Sequence, residues 1–122
     1  MIRIMTYNQR AKDLFKMIEE GKLLEALDKY YDDNVTIIAD DKTKRKGIKE
    51  VREYDATLLK EIEEVLTGKI LHITSDEEHK ITMVEFIIEL KFKNGNRKKI
   101  EEVAVQNWEN GKIVCENFYS KK

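Results

Sequence analysis

Glu116 is the residue whose surroundings promise the most chemistry. It lies in the closing run Arg97 to Tyr119, between Val114 and Phe118. A carboxyl group enclosed by valine and phenylalanine loses hydration when it ionises. Its proton affinity should therefore rise, and it could move protons near neutral pH. Asp55 is the second acid of interest, because it falls on the apolar stripe of a helix between Val51 and Leu58, with Tyr54 beside it. A tyrosine hydroxyl and a protonated acid can together stabilise an enolate oxygen. Glu116 and Asp55 are thus the candidate catalytic residues, and Tyr54 a candidate ligand contact. The plainer readings are a buried structural carboxylate at Glu116 and a Tyr54 ring packed at a cavity rim. His72 alternates with Ile70 and Thr74 and is a candidate inward-pointing base or ligand contact, although a lone strand histidine more often sits at the surface.

Other chemistries lack their residues. The two histidines, His72 and His79, have no cysteine pair near them, so no metal site is expected. Cys115 has no recognisable histidine partner for nucleophilic work. Without a Gly-rich phosphate loop or a G-x-S-x-G elbow, no cofactor is expected. The stretch Asp40 to Lys46, DDKTKRK, holds four basic residues but no aromatic one to stack on bases, and reads as a solvated loop. Across 122 residues, 23 basic and 24 acidic side chains leave a net charge of -1, which gives no pull toward nucleic acid or an anionic membrane. No run approaches the roughly 20 apolar residues of a spanning helix. One cysteine suits a reducing compartment. The expectation is a single cytoplasmic domain spanning 1-122, with no nucleic-acid or membrane partner.

The elements that must position these acids follow from spacing. Thr6 and Gln9 fit a capping box. Tyr7, Ala11, Leu14, Phe15 and Ile18 then recur at helical intervals until Gly21. A short helix carries Leu23, Leu24, Ala26, Leu27, Tyr30 and Tyr31, and Val35 to Ala39 is a strand by β-branching. A third helix runs from Gly47 to Gly68, with Ile48, Val51, Leu58, Ile62 and Val65 inward. Strands follow at Ile70–Thr74, Ile81–Phe92, Ile100–Trp108 and Ile113–Tyr119. Asn94-Gly95 and Asn110-Gly111 are the turn signals between the last three. If both turns have two residues, Val105 opposes Glu116, Val103 opposes Phe118, Asn107 opposes Val114 and Phe86 opposes Val103. Phe86, Val105 and Phe118 then line one face as ligand contacts, with Glu116 and Asn107 as its polar interruptions. The other face carries Met83, Glu85, Ile87, Glu102, Ala104, Gln106, Trp108, Ile113, Cys115 and Tyr119, which is apolar enough to expect a partner.

The passages LFKMIEEGKLLEALDKYYDDNVTI, KGIKEVREY and EEVAVQNWENGKIVCENFY occur in the order found in SnoaL-like proteins. Over nearly its whole length the chain resembles that branch of the nuclear transport factor 2 (ketosteroid isomerase-like) superfamily. The resemblance implies an α+β fold, a cone-shaped roll in which three N-terminal helices pack on a strongly curved antiparallel sheet. It also implies a ligand cavity between the two layers and a homodimer through the outer sheet face. Asp40 and Asp41 are the nearest positional analogues of the family's aspartate base. Two functions stay open: a pocket that binds, isomerises or cyclises a small hydrophobic carbonyl ligand, and a non-catalytic dimeric module with a vestigial or lipid-binding cavity.

Overall fold

Thr6 sets where the first helix begins. Its hydroxyl accepts the Gln9 N–H at 3.1 Å and the Gln9 side chain accepts the Thr6 N–H at 2.8 Å, which is the expected capping box. The Glu77 carboxylate, from a distant turn, accepts the N–H groups of Tyr7 and Asn8 at 2.8 and 3.0 Å and fastens this helix end to the sheet. The computed structural model describes residues 4–121. Its elements run α1 (Tyr7–Glu19), α2 (Leu23–Tyr30), β1 (Tyr31–Ile38), β2 (Lys44–Lys46), α3 (Ile48–Glu61), β3 (Ile62–Asp76), β4 (Ile81–Phe92), β5 (Arg97–Glu109) and β6 (Lys112–Ser120).

The architecture is the expected α+β roll, three helices on a curved, unclosed sheet of strand order β2-β1-β6-β5-β4-β3. One joint differs from expectation: β1 runs parallel to β6, so the sheet is mixed, while the other four joints are antiparallel. The third helix also stops earlier than its periodicity allows, at Glu61 instead of Gly68. Ile62 and Val65 fit either a helix or a strand. The decision is tertiary, because β4 continues to Phe92 and needs a neighbour. Ile62 and Val65 pair with Phe92 and Leu90, and the Lys93 N–H donates to the Glu61 carbonyl at 2.9 Å.

The counted register is corrected at two places. The β4–β5 loop has three residues, with Gly95 at φ 91°, so Phe86 opposes Glu102 rather than Val103. At the other turn Asn110 and Gly111 both take positive φ, and Glu109 pairs with Lys112 as a two-residue turn requires. A bulge follows at once. Trp108 pairs with Ile113 but Asn107 with Cys115, which leaves Val114 without a partner. Beyond Val114 every pairing slips by one, so Gln106, not Val105, opposes Glu116.

This slip turns one strand over. Ala104, Gln106, Trp108 and Ile113, expected outside, are all buried against the helices. Val105 and Asn107, expected on the cavity side, belong to the outer face, since alternate residues of a strand face opposite ways. Glu102 turns inward with its partner Phe86. The bulge lets Ile113 and Glu116 both point inward, which strict alternation forbids. Trp108, only 1% exposed, lies 5.7 Å from the Tyr7 ring and 5.9 Å, edge-on, from the Tyr30 ring. Phe86 meets Phe15 and Phe118 at 6.4 Å each.

Two substitutions separate the two registers. Trp108→Ala should cost about 3–5 kcal/mol in urea unfolding, the usual penalty for emptying a core aromatic site. Val105→Thr, on the outer face, should cost less than about 1 kcal/mol. The reverse ranking would restore the two-residue count.

Candidate functional site

The pairings Arg45↔Ile37, Ile37↔Glu116, Glu116↔Gln106 and Gln106↔Thr82 draw one row across β2, β1, β6, β5 and β4 on the concave face. Four of these five residues are polar. Their side chains form a directed chain of hydrogen bonds. Trp108 Nε1 donates to Thr82 Oγ1 at 2.8 Å, and that hydroxyl donates to Gln106 Oε1 at 2.7 Å. Gln106 Nε2 then donates to Glu116 Oε2 at 2.7 Å, and the Tyr31 hydroxyl donates to Glu116 Oε1, also at 2.7 Å. The polarity of this chain ends on the Glu116 carboxyl, which accepts at both oxygens. Tyr31 reaches it because α2 stops at Tyr30, so the next residue enters β1 with extended backbone.

Burial controls the proton at this end of the chain. Glu116 is 2% exposed, and loss of hydration pushes its carboxyl up to about 7. The bonds from Gln106 and Tyr31 hold it down, and the charge of Asp55 pushes it further up. Asp55 projects from α3 and is only partly buried. Burial raises it to about 6, against the opposing pull of the Arg45 guanidinium. Tyr31 is raised well above its ordinary value by burial, then by Glu116, and so remains a hydroxyl donor. Two carboxyl groups on opposite layers thus share one electrostatic environment, with the strand acid enclosed and the helix acid nearer to solvent.

The expected residues divide between this cluster and the surface. Glu116 is near enough to Asp55 for the Asp55 charge to raise it, while Phe86 and Phe118 belong to the core and meet each other. Tyr54 is 48% exposed and its ring carries the Arg45 guanidinium at 3.8 Å. His72 points outward, where its Nδ1 lies 2.8 Å from Glu85 on the solvent side. The bulge between Ile70 and His72 defeats the alternation that would have aimed it inward. Asn107 and Val105 stand on the outer face. Asp40 accepts the Ser120 hydroxyl at 2.6 Å, and Asp41 accepts the Thr43 N–H at 2.9 Å, so both serve loop and strand ends. Among the described residues no group of three His, Cys, Asp or Glu side chains could hold a metal ion.

Four members escaped the sequence reading, Thr82 among them as an unremarked residue of the Ile81–Phe92 strand. Tyr31 shared helical spacing with Tyr30, although β-branched Val35 and Thr36 lie soon after it. Gln106 alternates with Ala104 and Trp108 and went to the wrong face with them. Arg45 was hidden among lysines in a segment read as wholly solvated. Two hollows of the surface lie away from the cluster. One, of about 280 Å³, lies on the outer side of β3 to β6 by Leu71, Ile87, Val103 and Tyr119. The other lies by Glu61, Phe92 and Arg97.

The family model of the SnoaL-like domain matches residues 5–120. No curated protein sequence matches the chain. Among solved structures, a protein of Mesorhizobium loti described as a SnoaL-like polyketide cyclase is 24% identical, with a TM-score of 0.82, covering 94% of this chain and 99% of that one. A protein of Bacillus subtilis described as an isomerase is 13% identical, with a TM-score of 0.79 and coverage of 96% and 90%. A Catenulispora acidiphila protein with a ketosteroid isomerase-like fold, solved in complex with trimethylamine, is 13% identical, with a TM-score of 0.71 and coverage of 88% and 82%. At these identities the likeness is one of fold.

The raised acids fix the sign of a pH dependence. A carboxyl that holds its proton more tightly when folded favours folding at low pH. That benefit is lost as pH climbs from the ordinary 4.5 to about 7 for Glu116, and from 3.8 to about 6 for Asp55. Stability should therefore fall between about pH 4.5 and 7, a window distinct from the acid side where the lowered Asp13, Asp41, Asp76 and Glu77 act. Glu116→Gln keeps the shape, accepts from Gln106 and donates to Tyr31. It should flatten this slope and exceed the unaltered chain by about 2 kcal/mol at pH 8. Denaturation midpoints measured from pH 4.5 to 8 decide it, and an unchanged slope would refute the assignment.

Proposed function

The chain belongs to the SnoaL-like domain family, and from that premise we propose that it binds a compact hydrophobic carbonyl compound between α3 and the concave face. Asp55, backed by Glu116, handles a proton beside the carbonyl. The observation that carries this reading is a pair of carboxyl groups with raised proton affinity on facing layers, one of them enclosed and hydrogen-bonded at both oxygens. Asp55 is the acid placed to touch a ligand. Ionised, it would remove a proton from the carbon next to the carbonyl, leaving the negative charge on the enolate oxygen. Return of the proton at another carbon completes an isomerisation.

Access to Asp55 runs through α3. Of its 14 residues only Val51 is fully buried, whereas α1 and α2 each bury three. An element with so few buried contacts is the one that can lift at least cost. The partly buried apolar side chains Ile70, Ile88, Ile100 and Phe118, packed at the margin of the core, supply a bed for a hydrophobic ligand once α3 lifts. The single cysteine fits a reducing cytoplasm. Among the described residues no helix is long and apolar enough to cross a membrane.

Proton exchange tests the reading directly. In D₂O the protein should promote deuterium uptake next to the carbonyl of 3-cyclohexenone, read by proton NMR. The rate should climb with pH through about 6 as Asp55 ionises. Asp55→Asn should lower it by about 100-fold, a usual contribution of one positioned base. Exchange no faster than in buffer would exclude the catalytic part.

A second copy of the chain is the partner this reading favours, seated on the outer face. Met83 is 43% exposed there and Tyr119 59%, and the Leu71–Tyr119 hollow lies on the same side. Covering about 800 Å² per partner is the scale at which such a face holds a stable pair. Sedimentation at micromolar concentration should show a two-chain particle, shifted toward one chain by Tyr119→Glu. A single-chain particle in the unaltered protein would exclude the pair.

A further inference from the structure

We propose that Arg45 is an anion-binding residue at the rim of the ligand site and that the natural ligand carries a carboxylate. This rests on the proposed site between α3 and the sheet and names its substrate class. Arg45 occupies the concave row of the sheet, next to buried Ile37 and two strands from Glu116. Its neighbours Lys44 and Lys46 are exposed, yet its Nε is buried and has no hydrogen-bond partner. A buried guanidinium N–H without an acceptor is rare and costly, and an acceptor supplied by a ligand relieves it.

Three further observations agree. The guanidinium lies over the Tyr54 ring at 3.8 Å, a contact that restrains it and lowers the entropy lost when it grips a planar carboxylate. None of the described ion pairs uses it. The charged groups around it are Asp41 in the β1–β2 loop and Asp55 on α3. Each feels the Arg45 charge, but neither approaches within ion-pairing distance. The cation is therefore held near Asp55 and left uncommitted. A ligand carboxylate gripped there would leave the apolar body of the ligand over Phe118 and Ile100. Tyr54, an expected ligand contact, acts in this arrangement as the platform for Arg45.

Calorimetric titration with phenylacetate, cinnamate and octanoate, each beside its neutral amide, tests the assignment. Each carboxylate that binds should do so at least about tenfold more tightly than its amide. Arg45→Gln should erase that preference in a chain that still folds and still binds the amides. Arg45→Lys, which keeps the charge without the fork, should retain part of it. Equal affinity for acids and amides, or a preference that survives Arg45→Gln, would overturn the carboxylate assignment and leave the pocket reading standing. No binding of any probe would overturn both.

Discussion

A carboxyl group 2% exposed to water is the constraint on which much of this molecule depends. An isolated buried carboxylate would lose its hydration without return, at a cost of many kcal/mol. Glu116 recovers part of that through two charge-assisted hydrogen bonds, each worth about 1.5–3 kcal/mol. The recovery is incomplete, which is why the group prefers its proton up to about 7. Meeting even this partial demand recruits Tyr31 from β1, Gln106 and Trp108 from β5 and Thr82 from β4. Four strands are thereby held in one alignment. A slip of one residue anywhere among them would strand a buried donor or acceptor, so the network specifies register as well as stability.

The bulge at Val114 is what makes that alignment possible. Without it β6 would present either Ile113 or Glu116 to the core, but not both. With it, Ile113 fills space beside Trp108 and Glu116 meets Gln106. The three-residue β4–β5 loop makes the matching adjustment one hairpin earlier, bringing Glu102 to Phe86 and Thr82 to Gln106. Irregularities in a sheet re-aim side chains, and here they gather the polar ones into one row.

This explains what could be read from the chain and what could not. Thr6 and Gln9, Gly21 before α2, Gly47 before α3 and the Asn110-Gly111 turn act within a few residues, so local chemistry revealed them. Glu116 was legible as a buried acid because it shares a strand with apolar Val114 and Phe118. The identity of its partner was not, since a loop of three residues and a bulge of one leave little local trace, and each reverses a strand's faces. Tyr31 and Ile62 to Val65 failed for a related reason. Both stretches fit helix and strand alike, and the choice rests on distant strands that need a neighbour. Arg45 was obscured by composition: three lysines around it are solvated, and only the pairing with Ile37 singles it out.

The directed chain also decides where a proton can go. When Glu116 is ionised it accepts from both neighbours, and the chain runs unbroken back to Trp108. Once protonated it must itself donate. One route turns the Gln106 amide over, so that Gln106 accepts from Glu116 and donates to Thr82. Thr82 would then receive from both Gln106 and Trp108, leaving its own hydroxyl hydrogen without an acceptor in a fully buried site, which is a costly arrangement. The other route leaves that branch untouched. Glu116 donates to the Tyr31 oxygen, and the Tyr31 hydroxyl turns away toward a new acceptor. Asp55 is the neighbouring acid whose charge already acts on Tyr31. Trp108, a donor with no capacity to accept, thus closes one end of the chain, and a proton gained at Glu116 is felt at the other, where the helix acid meets the opening.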